Sequence, residues 1–136
     1  MKKILNLMVI FVFTITVATG CGCENKDKEE KKEETKVNTN EEVIKDQTVD
    51  VLTFTNTSLV YEDNNSKLQT TVTNTSDEDV YLAEFLIHVK DENGAEIVTM
   101  RGFVGGVVEA KSSKVINSVY GDDLTTAASI EYEIVK

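Results

Sequence analysis

From Val49 to the end of the chain, short segments of alternating apolar and polar residues follow one another, separated by clusters of turn-forming residues. The clearest segment spans residues 80–90. The residues expected on its inward face are Tyr81, Ala83, Phe85, Ile87 and Val89. Because successive side chains of a strand point to opposite faces of a sheet, this pattern predicts a strand with one buried face.

Similar segments predict further strands, and they are rich in Val, Ile, Thr, Tyr and Phe, as is typical of β-structure. They cover residues 51–55, 59–61, 67–73, 97–100, 103–108, 114–120 and 130–134. Turn signals rich in Asp, Asn and Gly separate many of them. Seven or eight short strands in about 90 residues predict an all-β fold, an immunoglobulin-like antiparallel β-sandwich of about seven strands.

The first twenty residues have the layout of a bacterial signal peptide, in which Lys2 and Lys3 precede a mostly apolar run over residues 4–17. The run is shorter than the ~20 residues that a membrane-spanning helix needs. It ends at residues 18–21, Ala-Thr-Gly-Cys, which resemble the lipobox of bacterial lipoproteins. The resemblance implies that Cys21 carries a covalent diacylglycerol. An ordinary secretory signal, cleaved after a small residue, is the alternative.

The chain therefore divides into a signal peptide (1–20), an acylated cysteine with a charged tether (21–46) and a sandwich domain (47–136). Residues 24–46 contain 9 acidic residues and 6 lysines, with almost no apolar side chain before Val43. Such a segment buries too little apolar surface to offset the entropy of ordering, so we predict a disordered tether. The domain that follows is large enough for one hydrophobic core.

The predicted anchor and the charge of the chain constrain its partners. Two acyl chains bind a membrane more firmly than the marginal single chain does, so we expect the domain at the extracytoplasmic face of the cell membrane. Without Lys2 and Lys3, the mature chain has 24 acidic and 12 basic residues, a formal charge of −12. It lacks the basic surface that binding to phosphate backbones requires, so no nucleic-acid partner is expected.

Three stretches of the domain carry a resemblance to a known family. They are residues 72–76 (Val-Thr-Asn-Thr-Ser), 91–94 (Asp-Glu-Asn-Gly) and 128–134 (Ala-Ser-Ile-Glu-Tyr-Glu-Ile). They resemble the FxLYD-type domain of Gram-positive bacterial lipoproteins and, more loosely, the telokin-like immunoprotective extracellular domains. The naming motif falls on residues 87–91, where Asp91 alone matches, and residues 109–111 replace the usual Pro-Gly. The resemblance implies an immunoglobulin-like fold and no established catalytic residues.

The sequence offers few groups for catalysis. His88 is the only histidine, which excludes a two-histidine metal site, and alternation places it on the sheet face opposite Phe85. Glu84 with Glu131, or Glu131 with Glu133, would be a carboxylate pair, but their pattern favours solvated strand faces. The sequence therefore predicts a protein that is not an enzyme.

Acidic residues cluster in the predicted turns, and carboxylate oxygens are the ligands that Ca²⁺ prefers. The candidate cation ligands are Asp63, Asp77, Asp79, Asp91, Asp122 and Asp123. Their spacing differs from that of an EF-hand, and aspartates also stabilise turns by bonding their own backbone. Binding of calcium or a small ligand by these acidic loops is therefore the alternative function, and no other cofactor is expected.

Two glycines in the segment 103–108 mark its backbone. Gly105 and Gly106 predict a bulged or bent strand, and the alternative is an edge strand at which Val107 and Val108 meet a partner's strand. In the absence of a catalytic constellation, the leading hypothesis is a non-catalytic interaction module. Its expected partner is another protein of the cell envelope.

Overall fold

The computed structural model describes residues 34–135. The predicted signal peptide, the lipidation site Cys21 and the tether up to residue 33 lie outside the described residues, so these predictions stay predictions. Among residues 34–135, the structure contains no helix long and apolar enough to cross a membrane.

This part of the chain contains eight strands, which form two antiparallel sheets, and one short helix. The elements are β1 (Lys36–Val37), α1 (Glu41–Ile44), β2 (Gln47–Val49), β3 (Leu52–Glu62), β4 (Asn65–Asn74), β5 (Val80–Lys90), β6 (Glu96–Val108), β7 (Ser113–Tyr120) and β8 (Ser129–Ile134). The first sheet has the order β3-β4-β7, with β1 and β2 both paired to the outer side of β3. The second sheet has the order β6-β5-β8. The predicted all-β, immunoglobulin-like sandwich is confirmed.

The inward faces of the two sheets meet in a core centred on three aromatic rings. Phe54 of β3 stacks on Tyr132 of β8 at 4.2 Å between centroids, and Phe85 of β5 meets Phe54 edge-on at 5.0 Å. Both phenylalanines are fully buried. Because β3 belongs to the first sheet and β5 to the second, their contact joins the two sheets. Buried aromatic pairs in such geometries add to the free energy gained from area burial.

The predicted segments 51–55 and 59–61 form one strand, β3, because a bulge accommodates the residues between them. Pairing with β4 passes from Thr55↔Thr71 to Ser58↔Gln69, so β3 contains one residue more than its partner. Asn56 absorbs the extra residue with a φ of +52°. Asparagine tolerates this left-handed conformation better than most residues, so the strand bends instead of ending.

The last described residues of the predicted tether are folded onto the sandwich, and the predicted domain boundary at residue 47 was wrong. Asn38 donates its backbone N–H to Leu59 O at 2.9 Å and its side-chain amide to Ala127 O at 2.9 Å. Asn40 caps α1, and Val43 of that helix is fully buried in the core. Burial of Val43 and of the Asn38 side-chain amide orders this segment, although most of its residues are polar. The folded domain therefore includes the chain from Lys36 onward.

The predicted inward face of β5 was wrong at its start. Tyr81 is 75% exposed and Ala83 is also exposed, whereas Leu82 is buried. Pairing with β6 passes from Leu82↔Gly106 to Glu84↔Phe103, so β6 carries an extra residue and the alternation of β5 shifts. Gly105 and Gly106 adopt φ values of +78° and +134° at this irregularity. The predicted bulge at these glycines is confirmed.

The residues that suggested the family resemblance have structural roles here. Asn74 is fully buried and donates to Glu78 O at 2.7 Å and Val108 O at 3.0 Å, while its Oδ1 accepts from Ser76 N. This side chain therefore fixes the loop between β4 and β5. Lys111, in the segment that replaces Pro-Gly, adopts a φ of +57°, a conformation that glycine adopts without strain.

The turns gather at two opposite ends of the sandwich. One end, here the Asp91 end, contains residues 63–64, 91–95 and 121–128, since Ser66 pairs with Tyr120 and Ala128 N donates to Lys90 O. The other, here the Tyr81 end, contains residues 50–51, 75–79 and 109–112, linked by Thr75 N to Val51 O at 2.9 Å. The chain enters the domain through β1 at the Asp91 end.

Candidate functional site

The six aspartates predicted as cation ligands do not converge on one site. Asp63, Asp91, Asp122 and Asp123 lie at the Asp91 end, whereas Asp77 and Asp79 lie at the Tyr81 end. Since β3 alone contains 11 residues, the two ends are separated by roughly 35 Å of strand. Within the described residues there is no group of three or more His, Cys, Asp or Glu that could hold a metal ion.

Most of these aspartates stabilise their own turns or pair with a lysine. Asp91 Oδ1 accepts from Asn93 N at 2.8 Å and Ala95 N at 2.9 Å, which closes the β5–β6 turn. Asp63 pairs with Lys67 at 3.3 Å, Asp77 with Lys111 at 3.1 Å, and Asp79 accepts from Ala110 N at 2.9 Å.

Asp123 at the Asp91 end pins the start of the folded chain. Its carboxylate accepts from Lys36 Nζ at 2.7 Å and from the backbone and hydroxyl of Thr125. The hydrogen bond from Lys36 and, after it, the two bonds from Thr125 together lower the pKa of Asp123 to about 2. The residue therefore holds β1 against the β7–β8 loop.

His88 lies on the outer face of the second sheet, as predicted, between glutamates from the two neighbouring strands. Its Nδ1 is 2.7 Å from Glu96 Oε2 on β6, and its Nε2 is 2.9 Å from Glu133 Oε2 on β8. The hydrogen bond with Glu96 raises the pKa of His88, burial opposes this, and Glu133 adds to the rise. When protonated, the imidazole donates to both glutamates and so bridges all three strands of this sheet.

The groups around His88 are arranged for charge pairing. Thr99 Oγ1 is 3.2 Å from His88 Nδ1, but it donates to Glu96 Oε1 at the shorter distance of 2.7 Å. A histidine that activates a hydroxyl must accept the proton of that hydroxyl, which here is directed to Glu96. The bonds from Thr99 and His88 lower the pKa of Glu96, so its carboxylate stays ionised as the counterion.

The other glutamates singled out in the sequence are each paired with a base. Glu84 Oε1 lies 3.2 Å from Arg101 on β6, and Glu131 Oε2 lies 2.5 Å from Lys90 on β5. Cross-strand pairs of opposite charge stabilise a sheet by a modest amount each. Glu84, Glu131 and Glu133 therefore act as separate counterions in this structure and do not face one another across a cleft.

The His88 bridge predicts a pH dependence of stability. Its raised pKa means that its contribution is fully present below the ordinary value of 6.5 and is lost as the pH rises through the raised pKa. Glu96 has a lowered pKa, so its contribution is lost as the pH falls below 4.5. The melting temperature is measured at matched ionic strength over a range of pH. We expect the melting temperature of wild type to exceed that of His88→Gln by most between pH 4.5 and pH 6.5, and the difference to vanish at alkaline pH. A difference that grows with pH would contradict the bridge.

Three large apolar side chains are exposed together near the Tyr81 end, on the outer face of the second sheet. Tyr81 is 75% exposed, Phe103 66% and Val107 44%, and Tyr81 lies directly opposite Val107 in the β5–β6 register. Aromatic residues are enriched at protein interfaces because they bury a large area with few rotatable bonds. We call this set the Tyr81 surface.

A pocket of about 470 Å³ adjoins the Tyr81 surface. It lies beside residues 80–84 of β5, whereas residues 85–90 of that strand pair with β8. Its lining residues are Asp50, Val51, Leu52, Val80, Tyr81, Ala83, Glu84, Ile134 and Val135. The sequence did not indicate this site, because alternation alone places Tyr81 and Ala83 on the inward face. The pair Gly105 and Gly106, which lies on β6 opposite this part of β5, was the sequence signal that the alternation of β5 shifts.

No family model matches the chain, and no curated protein matches it. Among solved structures, the chain is similar to a DUF1425 family member from Shewanella sp. pv-4. The two share 12% sequence identity with a TM-score of 0.44, and the match covers 74% of this chain and 95% of that chain.

Proposed function

We propose that this chain is a lipoprotein anchored through Cys21 to the extracytoplasmic face of the cell membrane. Its sandwich is a non-catalytic interaction module that binds another protein of the cell envelope. The layout of residues 1–21 supports the anchor. We also propose kinship with the FxLYD-type lipoprotein domains, which the structural role of Asn74 and the conformation of Lys111 support.

The Tyr81 surface carries the proposed interaction. Tyr81 and Phe103 lie on a solvent-exposed sheet face, where the fold does not require apolar side chains. Each side chain is at least 66% exposed. Burying one such side chain on binding contributes roughly 1.5–3 kcal/mol before the costs of association. Exposed apolar clusters of this kind, beside a pocket, are typical of binding surfaces.

The position of the surface relative to the start of the domain favours the same function. The chain enters through Lys36, which pairs with Tyr61 and with Asp123 at the Asp91 end. The Tyr81 surface is near the opposite end of the same domain. The described chain therefore begins at the end of the domain away from the Tyr81 surface.

Lipidation is tested by labelling with an alkyne analogue of palmitate in a bacterium that processes lipoproteins. We expect wild type and Cys23→Ala to incorporate the label and fractionate with membranes. Cys21→Ala should lose both by at least about tenfold, because no other group replaces the acyl chains. Cys23 is the matched control, since it lies two residues away. Label retained in Cys21→Ala and lost in Cys23→Ala would refute the assigned site.

The interaction is tested by placing a photo-crosslinking amino acid at Tyr81 of the full-length protein in living cells. The control position is Val119 on β7, which is 64% exposed but belongs to the other sheet. We expect one envelope protein crosslinked from position 81 and not from position 119, and its yield should fall in Phe103→Ser and in Cys21→Ala. Equal adducts from both positions, or none from position 81, would overturn the proposal.

A further inference from the structure

The outer face of the first sheet is almost free of charge. Strands β3, β4 and β7 present twelve side chains there, in four cross-strand rows of three. The first and last of these rows are Thr53, Thr73 and Ser113, and Val60, Lys67 and Val119. Lys67 is the one charged residue of the twelve, and it pairs with Glu62 at 3.0 Å and with Asp63 at 3.3 Å. We call this set of rows the neutral face.

The outer face of the second sheet differs, because ion pairs cross it on all three strands. They are the His88 bridge, the pair of Lys90 with Glu131 and the pair of Arg101 with Glu84. Without the predicted signal peptide, acidic residues outnumber basic ones by 24 to 12, so like charges oppose most contacts between two copies of the chain. The neutral face lets two copies meet without that repulsion.

We infer that the neutral face binds a second copy of this chain, sheet against sheet, about a two-fold axis that crosses the strands at the row Ser58, Gln69 and Asn117. The Tyr81 surface lies on the other sheet and stays uncovered in this pair, so self-association adds to the proposed function. Identical copies pair through self-complementary patches. Two sheets that pack face to face lie about 10 Å apart, a space that interdigitating side chains such as threonine and valine fill.

The residues of the neutral face match themselves about this axis. Gln69 donates to Asn117 at 3.1 Å, and both amides meet their own copies on the axis. A carboxamide has donors and acceptors, so two of them are complementary. Val115, which is 58% exposed, faces Val119 of the second copy, which is 64% exposed. An axis along β4 would instead place the two copies of Lys67 against each other, and like charges oppose that arrangement.

The size of the neutral face predicts a weak pair. The first sheet is widened by β1 and β2, where Val37 lies opposite Val60 and Thr48 opposite Thr53. Four strands about 4.8 Å apart and four rows about 7 Å apart cover roughly 500 Å² on each copy, or about 1,000 Å² in total. This is the lower limit for a specific interface, so we expect little dimer of the free domain at micromolar concentration. Anchoring at a membrane raises the effective concentration of the copies, so the strength of the pair, though not its geometry, rests on the proposed function.

Self-association is tested by thiol crosslinking of the full-length protein in its membrane. Cys23→Ser removes the only cysteine besides Cys21, and this background variant is the blank. Because the facing sheets lie about 10 Å apart, beyond the reach of a disulfide, the probe is a bismaleimide with a short spacer. We expect Asn117→Cys to crosslink with itself. Val115→Cys should crosslink with a co-expressed Val119→Cys copy but not with itself.

Three matched variants control for chance contact. Ile97→Cys, which is 46% exposed on β6 of the other sheet, should give at least about tenfold less dimer than Asn117→Cys. Gln69→Glu should lower the yield of Asn117→Cys by at least about tenfold, because it sets two carboxylates against each other on the axis. Asn93→Asp adds the same charge at the Asp91 end and should leave the yield unchanged.

Equal yields from Asn117→Cys and Ile97→Cys, or a yield that Gln69→Glu leaves unchanged, would refute self-association. A crosslink from position 117 to a different protein would refute the second copy as the occupant. Position 81 reports separately on the envelope partner. A dimer from position 117 without an envelope adduct from position 81 supports self-association and refutes the proposed partner, and an envelope adduct from position 81 without a dimer from position 117 does the reverse.

Discussion

Gly102→Ala is expected to lower the free energy of unfolding by about 3 kcal/mol, because the added methyl group collides with a core ring. A Cβ at Gly102 would lie 2.2 Å from Cζ and 2.6 Å from both Cε atoms of Phe85. That ring is fully buried between Phe54 and Tyr132, so it cannot move aside. For a domain of about 100 residues, the melting temperature should fall by roughly 10–20 °C.

Gly121→Ala is the matched control for this substitution. A Cβ there meets no atom within 4 Å, and we expect a change of less than about 0.5 kcal/mol. The double variant Gly102→Ala with Phe85→Leu should lose less than the sum of the two single variants, since the smaller side chain makes room. Thermal and urea unfolding of the four variants and of wild type measure these changes. Equal stability of the Gly102 and Gly121 variants would contradict the packing described here.

Removal of residues 22–46 is expected to lower the free energy of unfolding by about 3–5 kcal/mol, which is a large part of the total stability of a small domain. Starting the chain at residue 47 deletes Val43, which is fully buried, and the bonds that Asn38 makes to Leu59 O and Ala127 O. Burial of one valine contributes roughly 1.5–3 kcal/mol, and each buried hydrogen bond adds about 1 kcal/mol. Urea unfolding of residues 22–136 and 47–136 measures the difference.

A pair of neighbouring substitutions localises the effect of that deletion. Val43→Ala should cost about 1–2 kcal/mol, because it empties a position enclosed by the core. Ile44→Ala removes a larger side chain that is 40% exposed, and its cost should be the smaller of the two. Equal stability of residues 47–136 and 22–136 would mean that the folded domain begins at residue 47, as the sequence predicted.

Alternation predicted the strands well because it is a local property. The period of two along β5 and β8 follows from the pleat of each strand, whatever strand lies beside it. The prediction of separate strands at 51–55 and 59–61 failed because Asn56 reads as an interruption. In the structure a bulge absorbs it and β3 continues. Whether an irregular residue ends a strand depends on the partner strand, which the sequence does not identify.

The candidate site could not be predicted from the sequence for the same reason. The exposed position of Tyr81 results from an extra residue in β6, and that residue acts on β5 only through the pairing of the two strands. The aspartates were correctly placed in turns, but which turns share an end of the sandwich is set by strand order.

The sequence by itself determined that the chain forms β-structure and that His88 and the glutamates lie on a sheet face, since these follow from periodicity and residue type. The proposals of a signal peptide and of lipidation at Cys21 also rest on the sequence alone. The tertiary structure decided that Val43 belongs to the core and that Tyr81 and Phe103 face outward. Each of these depends on contacts between residues distant in the chain, and such contacts leave no local pattern from which they can be derived.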